Sequence, residues 1–120
     1  MDDLSADLTS SADWTDGRVL VVMATFNERD NVCPLMEAIL AADERVQVLV
    51  VDDDSPDGTG QLALDTAARH RRAHVLIRRG RKGLGSAILE GFEIAAARGF
   101  EIAFNMDADF SHNPADLPRL

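Results

Sequence analysis

The chain has 120 residues and a formal net charge of −9, from 21 acidic and 12 basic side chains. This length fits one domain or part of a larger one, and a hydrophobic content of 46% is too high for a disordered chain. The overall acidity argues against a nucleic-acid partner, because phosphate contacts need clustered Lys and Arg. A single cysteine, Cys33, excludes an internal disulfide and a zinc site of four cysteines.

The N-terminal segment differs in composition from the rest of the chain. Residues 1–17 carry five aspartates, no Lys or Arg, and no hydrophobic periodicity, so we predict a flexible acidic leader followed by a folded domain over 18–120. The leader lacks the basic stretch and apolar core of a secretory signal. No apolar run approaches the roughly 18 residues that a spanning helix needs, and we therefore expect a cytoplasmic protein.

From residue 18 onward, apolar runs and helical patterns alternate. Four short runs rich in β-branched residues predict buried strands at 18–24, 46–51, 73–78 and 100–106. Segments with helical spacing lie between them, at 32–42, 59–71 and 84–98. This order predicts an α/β domain, a parallel sheet with helices on both faces and right-handed crossovers. Because another helix-like stretch begins at 114–120, where the chain stops, we expect the N-terminal half of a larger domain, a truncated sheet.

The expected strand order indicates where a ligand binds. In the commonest doubly wound order, the first and fourth strands are neighbours, and ligands bind beyond the carboxyl ends of the strands where the order reverses. That order brings the loops 25–31 and 107–113 together. The second strand lies beside the first and delivers the acidic residues 52–54 to the same edge. We therefore expect the polar groups of these three loops to converge.

Two carboxylates one residue apart, Asp107 and Asp109, follow the fourth predicted strand. Such a pair can face a hard divalent cation, which is usually shared with substrate phosphates. A cation in that place neutralises a diphosphate leaving group. The same spacing is also found in solvated acidic turns, so the pattern alone leaves both interpretations open.

The loops after the first three strands each have two interpretations. In the first loop, either Phe26 lies against a nucleobase and Glu28 hydrogen-bonds a base or ribose, or Phe26 packs into the core and Asn27 or Asp30 caps the first helix. After the second strand, one of three successive acids binds a ribose hydroxyl or a base edge, while Asp57 or Thr59 caps the next helix. The third loop, 79–87, is basic and rich in glycine, which favours an anion site or a plain strand-to-helix connection. The first loop has no glycine, which disfavours a dinucleotide.

Taken together, the motifs at 24–28, 51–59, 83–87 and 106–112 resemble those of family 2 glycosyltransferases, in particular the dolichyl- and polyprenyl-phosphate mannose synthases. The resemblance covers residues 18–120 and implies a GT-A fold, the Rossmann-like fold of nucleotide-diphospho-sugar transferases. It implies transfer of mannose from GDP-mannose to a polyprenyl (dolichyl) phosphate by an inverting displacement assisted by Mg²⁺ or Mn²⁺. It also implies work at the cytoplasmic face of a membrane, with membrane contact through segments beyond Leu120.

The resemblance also implies roles for individual residues. The nucleotide contacts it implies are Ala24, Phe26, Glu28, Val51 and Asp53. The residues that it places at the metal and the diphosphate are Asp107, Ala108 and Asp109, and Asp107 and Asp109 are therefore the expected catalytic residues. Ser111 falls where a further metal ligand can occur. Two positions depart from the family pattern, because Ala24 stands where the family usually has Pro and Phe26 where it usually has Tyr.

Two other functions remain open from the sequence. One is a family 2 transferase with UDP-glucose or another donor, because the spacing does not distinguish guanine from uracil. The other is a non-catalytic nucleotide-binding fragment that lacks the acceptor half. A receiver-like phosphoryl-transfer domain is disfavoured, since it needs paired acids after the first strand and this chain has Asn27 and Glu28 there.

Overall fold

A sheet flanked by three helices makes up the part of the chain that the computed structural model describes, residues 8–9, 18–80 and 83–109. Its elements are β1 (Leu8–Thr9), β2 (Val19–Thr25), α1 (Val32–Ala42), β3 (Val46–Asp52), α2 (Thr59–Ala67), β4 (Ala73–Ile77), α3 (Leu84–Ala97) and β5 (Ile102–Asn105). All of the predicted strands and helices are present. Helix α2 ends earlier than the prediction of 59–71, because the amides of Arg69 and His70 bond to carbonyls three residues back, as in a tighter turn.

The sheet has the predicted order. Its strands run β1-β4-β3-β2-β5, with β2 parallel to both β3 and β5 and with β3 parallel to β4. The first and fourth predicted strands, β2 and β5, are therefore neighbours, as expected. Pairing continues past the end of β5, where the Met106 amide donates to the Val22 carbonyl at 3.0 Å. The point where the strand order reverses lies between β2 and β5.

A two-residue strand from the N-terminal segment adds to one edge of the sheet. Strand β1 pairs antiparallel with β4, with Leu8 opposite Ile77 and Thr9 opposite Leu76. Two residues are too few for a period-two pattern, so the sequence does not indicate this strand. The other residues of 1–17 lie outside the described residues, and the flexible acidic leader stays a prediction.

The helices cover both faces of the sheet. On β2, Val21 and Met23 point into the core under α1 and α2, whereas Leu20 and Val22 point into the core under α3. The chain moves one way through β2, β3 and β4 and then returns to the far side of β2. Right-handed crossovers therefore place the returning helix on the opposite face. Coverage on both faces explains why the strand runs are continuously hydrophobic.

Helix α3 approaches β2 closely at one glycine. A Cβ on Gly91 would overlap with the Cγ1 of Val22, so only glycine lets the helix backbone lie this near the strand. At the start of α3, the Gly83 amide donates to the carboxylate of Asp53 at 2.9 Å. The close approach at Gly91 and this hydrogen bond together hold α3 against β2, with its start beside the carboxyl end of β3.

Candidate functional site at the carboxyl edge of the sheet

The loops that follow β2 and β3 are joined through the buried carboxylate of Asp52. This side chain is 0% exposed and accepts hydrogen bonds from the Thr25 hydroxyl at 2.6 Å, the Ser55 hydroxyl at 2.7 Å and the Ser55 amide at 2.9 Å. These bonds satisfy most of its acceptor capacity, as burial of a carboxylate requires. Asp52 therefore connects the end of β2 to the turn after β3 and offers no free face to a ligand pocket.

Hydroxyl groups of the β3–α2 turn hold the backbone of the first loop. The Ser55 hydroxyl accepts from the Asn27 amide at 2.9 Å, and the Thr59 hydroxyl accepts from the Glu28 amide at 2.9 Å. Asn27 has a positive φ of 56°, a left-handed conformation that asparagine tolerates better than most residues. The loop that displays Phe26 thus has its shape set by the turn opposite.

Asp57 makes the third connection between these loops. Its carboxylate accepts from the Arg29 amide at 3.3 Å and from the amide and hydroxyl of Thr59, and its carbonyl accepts from the Arg29 guanidinium at 2.9 Å. Burial disfavours the charged form of Asp57, but the bonds from Thr59 and Arg29 outweigh it and hold its pKa below the usual value. The N-cap of α2 is Gly58, without a side-chain capping bond, so neither Asp57 nor Thr59 is the N-cap.

Asp53 points the other way and is paired with an arginine. The guanidinium of Arg78 donates to its two oxygens at 2.7 and 3.0 Å, and the Gly83 amide donates to one of them at 2.9 Å. Asp53 is 2% exposed and Arg78 is 1% exposed. The carboxylate raises the pKa of Arg78 above its ordinary value, so the arginine is permanently charged.

A pocket of about 340 Å³ opens beside this ion pair. It is lined by Phe26, Asp53, Gly83 and Leu84. Phe26 is 40% exposed and Leu84 is 53% exposed, so both apolar side chains face the pocket opening and not the core. The pocket combines apolar walls with a carboxylate at one side, a composition typical of sites for small organic ligands.

Three other residues predicted to contact the nucleotide lie near the pocket without lining it. Val51 is fully buried in the core under α3, and Ala24 is half-buried against the same core. Glu28 is half-buried, and its carboxylate accepts from the Asn31 side chain at 3.1 Å. The structure thus brings Phe26 and Asp53 together at the pocket wall and leaves the roles of the other three residues as predictions.

The paired carboxylates follow β5 on the neighbouring strand. Met106 and Ala108 are each 5% exposed and belong to the core under α1 and α2, whereas Asp107 and Asp109 are exposed. This alternation places both carboxylates on the solvent side of the segment. The predicted third ligand, Ser111, lies outside the described residues.

The donor set of this segment fits a hard divalent cation that is shared with a ligand. Asp107 and Asp109 offer carboxylate oxygens, which Mg²⁺ and Mn²⁺ prefer. Within residues 8–9, 18–80 and 83–109, no group of three or more His, Cys, Asp or Glu side chains is arranged to hold a metal. The described residues therefore supply part of a coordination shell, which phosphate oxygens and water can complete.

No sequence motif assigned a role in the site to Arg78. Gly83 and Leu84 belong to the loop 79–87 and to the motif 83–87, but they were not among the predicted nucleotide contacts. One signal was present, because Arg78 ends an otherwise apolar run and arginine is seldom buried unless it is paired. Its partner could not be chosen from spacing, since three successive acids end the preceding strand.

Comparisons with known proteins agree with this architecture. The family model described as "Glycosyl transferase family 2" matches residues 20–120. The chain is 46% identical over 104 residues to a polyprenol monophosphomannose synthase of Mycolicibacterium smegmatis, and 44% identical over 103 residues to an undecaprenyl-phosphate mannosyltransferase of Micrococcus luteus. It is 37% identical over 105 residues to a dolichol-phosphate mannosyltransferase of Pyrococcus furiosus. Each match covers 86% of this chain and, in the same order, 39%, 42% and 29% of the relative.

A solved structure shares the fold. A mannosyltransferase from Pyrobaculum calidifontis, in complex with GDP-Man and Mn²⁺, matches with a TM-score of 0.55 and 26% identity, over 64% of this chain and 24% of that one. The likeness confirms the predicted fold class. The chain spans less than half the length of the curated relatives it matches. In the part of the chain that the structure describes, no helix has both the length and the apolar character needed to cross a bilayer.

Proposed function

The chain belongs to glycosyl transferase family 2, and we propose that it is the donor-binding part of an enzyme that transfers mannose from GDP-mannose to a polyprenyl phosphate. The observation that carries the proposal is the pocket lined by Phe26 and Asp53, which directly follow β2 and β3, beside β5, which is followed by Asp107 and Asp109. Three relatives, all named as polyprenyl- or dolichyl-phosphate mannose enzymes, support it.

The pocket suits the base of the donor nucleotide. Phe26 presents a ring on which a base can stack, and Leu84 supplies a second apolar wall. The Asp53 carboxylate already accepts three of the roughly four hydrogen bonds that a carboxylate can take, so one acceptor position remains for an N–H donor on the base edge. Guanine and uracil both carry such a donor, and the GDP-Man in the Pyrobaculum calidifontis complex supports guanine. In this proposal Ala24, Glu28 and Val51 complete the nucleotide site.

The diphosphate lies beyond the pocket, toward β5. Asp107 and Asp109 would hold the Mg²⁺ or Mn²⁺, with Ser111 as a further ligand and Ala108 beside the diphosphate. The Mn²⁺ in the Pyrobaculum calidifontis complex supports this assignment. When bound, the cation supplies positive charge that stabilises the departing GDP.

For the transfer step itself, the main task of the protein is to position the substrates. A phosphate acceptor is already ionised at neutral pH, so no general base is needed to activate it. A single in-line attack on the sugar carbon inverts its configuration. The chain's contribution is to fix the donor so that this attack is aligned. Because the acceptor is a lipid, the enzyme would work at the cytoplasmic face of a membrane.

Titration calorimetry of the chain with GDP and with UDP, each with and without Mn²⁺, tests the proposal. We expect binding that depends on Mn²⁺ and favours GDP. A preference for UDP would support the nucleotide site but would show that the donor is a UDP-sugar and not GDP-mannose. A folded chain that binds neither nucleotide would contradict the proposal, with the fold verified by circular dichroism on the same sample.

The metal assignment gives a sharper prediction. Asp107→Asn and Asp109→Asn each remove a charged metal ligand from an exposed position, so the fold is retained. We expect the affinity of each variant for GDP in Mn²⁺ to fall to about the value that the wild-type chain shows without the metal. Asp65→Asn, an exposed aspartate on α2, is the matched control and should leave GDP binding unchanged. Full Mn²⁺ dependence in either site variant would refute the assignment.

A further inference from the structure

A buried arginine next to the pocket is not explained by stability alone. Arg78 is among the largest fully buried side chains of the described residues, with 1% of its surface exposed. Burying a charge is costly unless it is paired, and an apolar residue of similar volume often packs at least as well. The contacts of Arg78 hold two parts of the site in place.

On one side, Arg78 fixes the orientation of a pocket residue. Its Nε donates to Oδ1 of Asp53 at 2.7 Å and its Nη2 donates to Oδ2 at 3.0 Å. Two parallel bonds from a planar fork set the rotation of the carboxylate as well as its position. The Asp53 carboxylate thus has one defined orientation at the pocket wall.

On the other side, Arg78 fixes the start of α3. Its Nη2 donates to the Gly83 carbonyl at 3.2 Å, and its Nη1 donates to the Ser86 hydroxyl at 2.8 Å and to the Glu90 carboxylate at 3.3 Å. The Gly83 amide donates back to Asp53, which closes a ring of three residues. Gly83 has a φ of 122°, a conformation that glycine adopts readily and other residues rarely do, so this turn depends on glycine at position 83.

From these contacts we infer that Arg78 is a positioning residue for the nucleotide pocket. Among the described lining residues, it bonds directly to Asp53 and Gly83, and Gly83 precedes Leu84 in the chain. Arg78 does not itself line the pocket. The inference rests on the proposed function, in which this pocket takes the base of the donor.

Substitution by lysine separates this role from charge alone. Lysine retains the positive charge but has no planar fork, so it cannot hold Asp53 and Gly83 together. We expect Arg78→Lys to bind GDP about tenfold or more weakly in Mn²⁺, because two charge-assisted bonds that set the pocket geometry are lost. The amide of Gly83 should also exchange its hydrogen faster in the nucleotide-free chain.

Arg72→Lys is the matched control. Arg72 is half-buried and donates to the carbonyls of Leu40, Asp43 and Val46 at the opposite, amino-terminal end of the sheet. It should lose stability as Arg78→Lys does, without any change in GDP affinity or in Gly83 exchange. Ser86→Ala is the milder second variant, since Ser86 is exposed and alanine suits a helix. It removes one bond to Arg78 and should weaken GDP binding several-fold.

Titration calorimetry and amide exchange of the four chains decide the question. Weaker GDP binding and faster Gly83 exchange in Arg78→Lys and Ser86→Ala, but not in Arg72→Lys, would support the inference. Stability loss with unchanged affinity and exchange would overturn it. A wild-type chain that binds neither GDP nor UDP contradicts the proposed function separately, and Gly83 exchange then still decides whether Arg78 holds the loop.

Discussion

At the scale of single residues, three successive aspartates at the end of β3 have three different environments. Asp52 is buried and serves as an acceptor for Thr25 and Ser55, Asp53 is buried against Arg78, and Asp54 is exposed with a φ of 53°. Like charges this close would destabilise the strand end if they shared one environment. The backbone turns between them, so two of the three carboxylates find separate partners.

Phe26 gives a prediction at this scale. Phe26 is 40% exposed at the pocket, so its removal costs less packing than removal of a core phenylalanine and also deletes a stacking surface. Stacking of a base on an aromatic side chain is worth about 1–3 kcal/mol. We expect Phe26→Ala to weaken GDP binding roughly tenfold to hundredfold, measured by calorimetry in Mn²⁺ on chains whose fold is verified by circular dichroism.

The control for Phe26 is another exposed apolar residue. Leu89 on α3 is 63% exposed and does not line the pocket, so Leu89→Ala should leave GDP affinity unchanged. If Phe26→Ala and Leu89→Ala bind GDP equally well, the base does not lie against Phe26.

At the scale of elements, the position of α3 determines the shape of the pocket. The helix lies close to β2 through Gly91 and starts over β3 through Gly83. A shift of α3 away from the sheet would move Leu84 and the pocket wall with it. Packing in the middle of the helix and the shape of the pocket at its start are therefore linked.

Gly91→Ala tests this packing. The added Cβ would overlap with Val22, and overpacking a core costs about 1–3 kcal/mol, while better helix propensity returns at most about 1 kcal/mol. We expect a net loss in the free energy of unfolding, measured by urea denaturation. The double variant Gly91→Ala with Val22→Ala should lose less than the sum of the two single variants, because each change makes room for the other.

Gly85→Ala is the matched control on the same helix. A Cβ on Gly85 meets no atom within 4 Å, so only helix propensity applies and stability should rise slightly. Equal effects of the two alanine substitutions would mean that α3 does not pack tightly on Val22.

At the scale of the whole molecule, hydrophobic patterning predicted the four longer strands and the three helices, and the commonest doubly wound topology predicted the order of those strands. Strands buried on both faces leave long apolar runs, and right-handed crossovers leave few topologies. The prediction was weaker where long-range contacts decide the structure. Strand β1 is too short to show a hydrophobic pattern, and which aspartate pairs with Arg78 depends on the folded structure. The strand order predicted that the loops of Phe26 and Asp53 lie close together. The position of Leu84 at the same pocket depends on the placement of α3, which the strand order does not give.

Acid stability of the whole chain follows from carboxylates whose pKa values the fold lowers. Hydrogen bonds from the side chain and amide of Arg45 lower the pKa of Asp43 from 3.8 to about 2, and the bonds to Asp57 lower its pKa as well. A carboxylate with a lowered folded-state pKa stabilises the protein above its unfolded-state pKa, and this contribution is lost as the pH falls through the folded-state value. We therefore expect the free energy of unfolding to fall from about pH 4 to about pH 2.

Arg45→Gln removes the ion pair with Asp43, so the free energy of unfolding of this variant should be lower at neutral pH and should depend less on pH between about pH 4 and about pH 2. Urea denaturation of both chains across this range measures the difference, and parallel curves would show that the Asp43–Arg45 pair contributes nothing to acid stability.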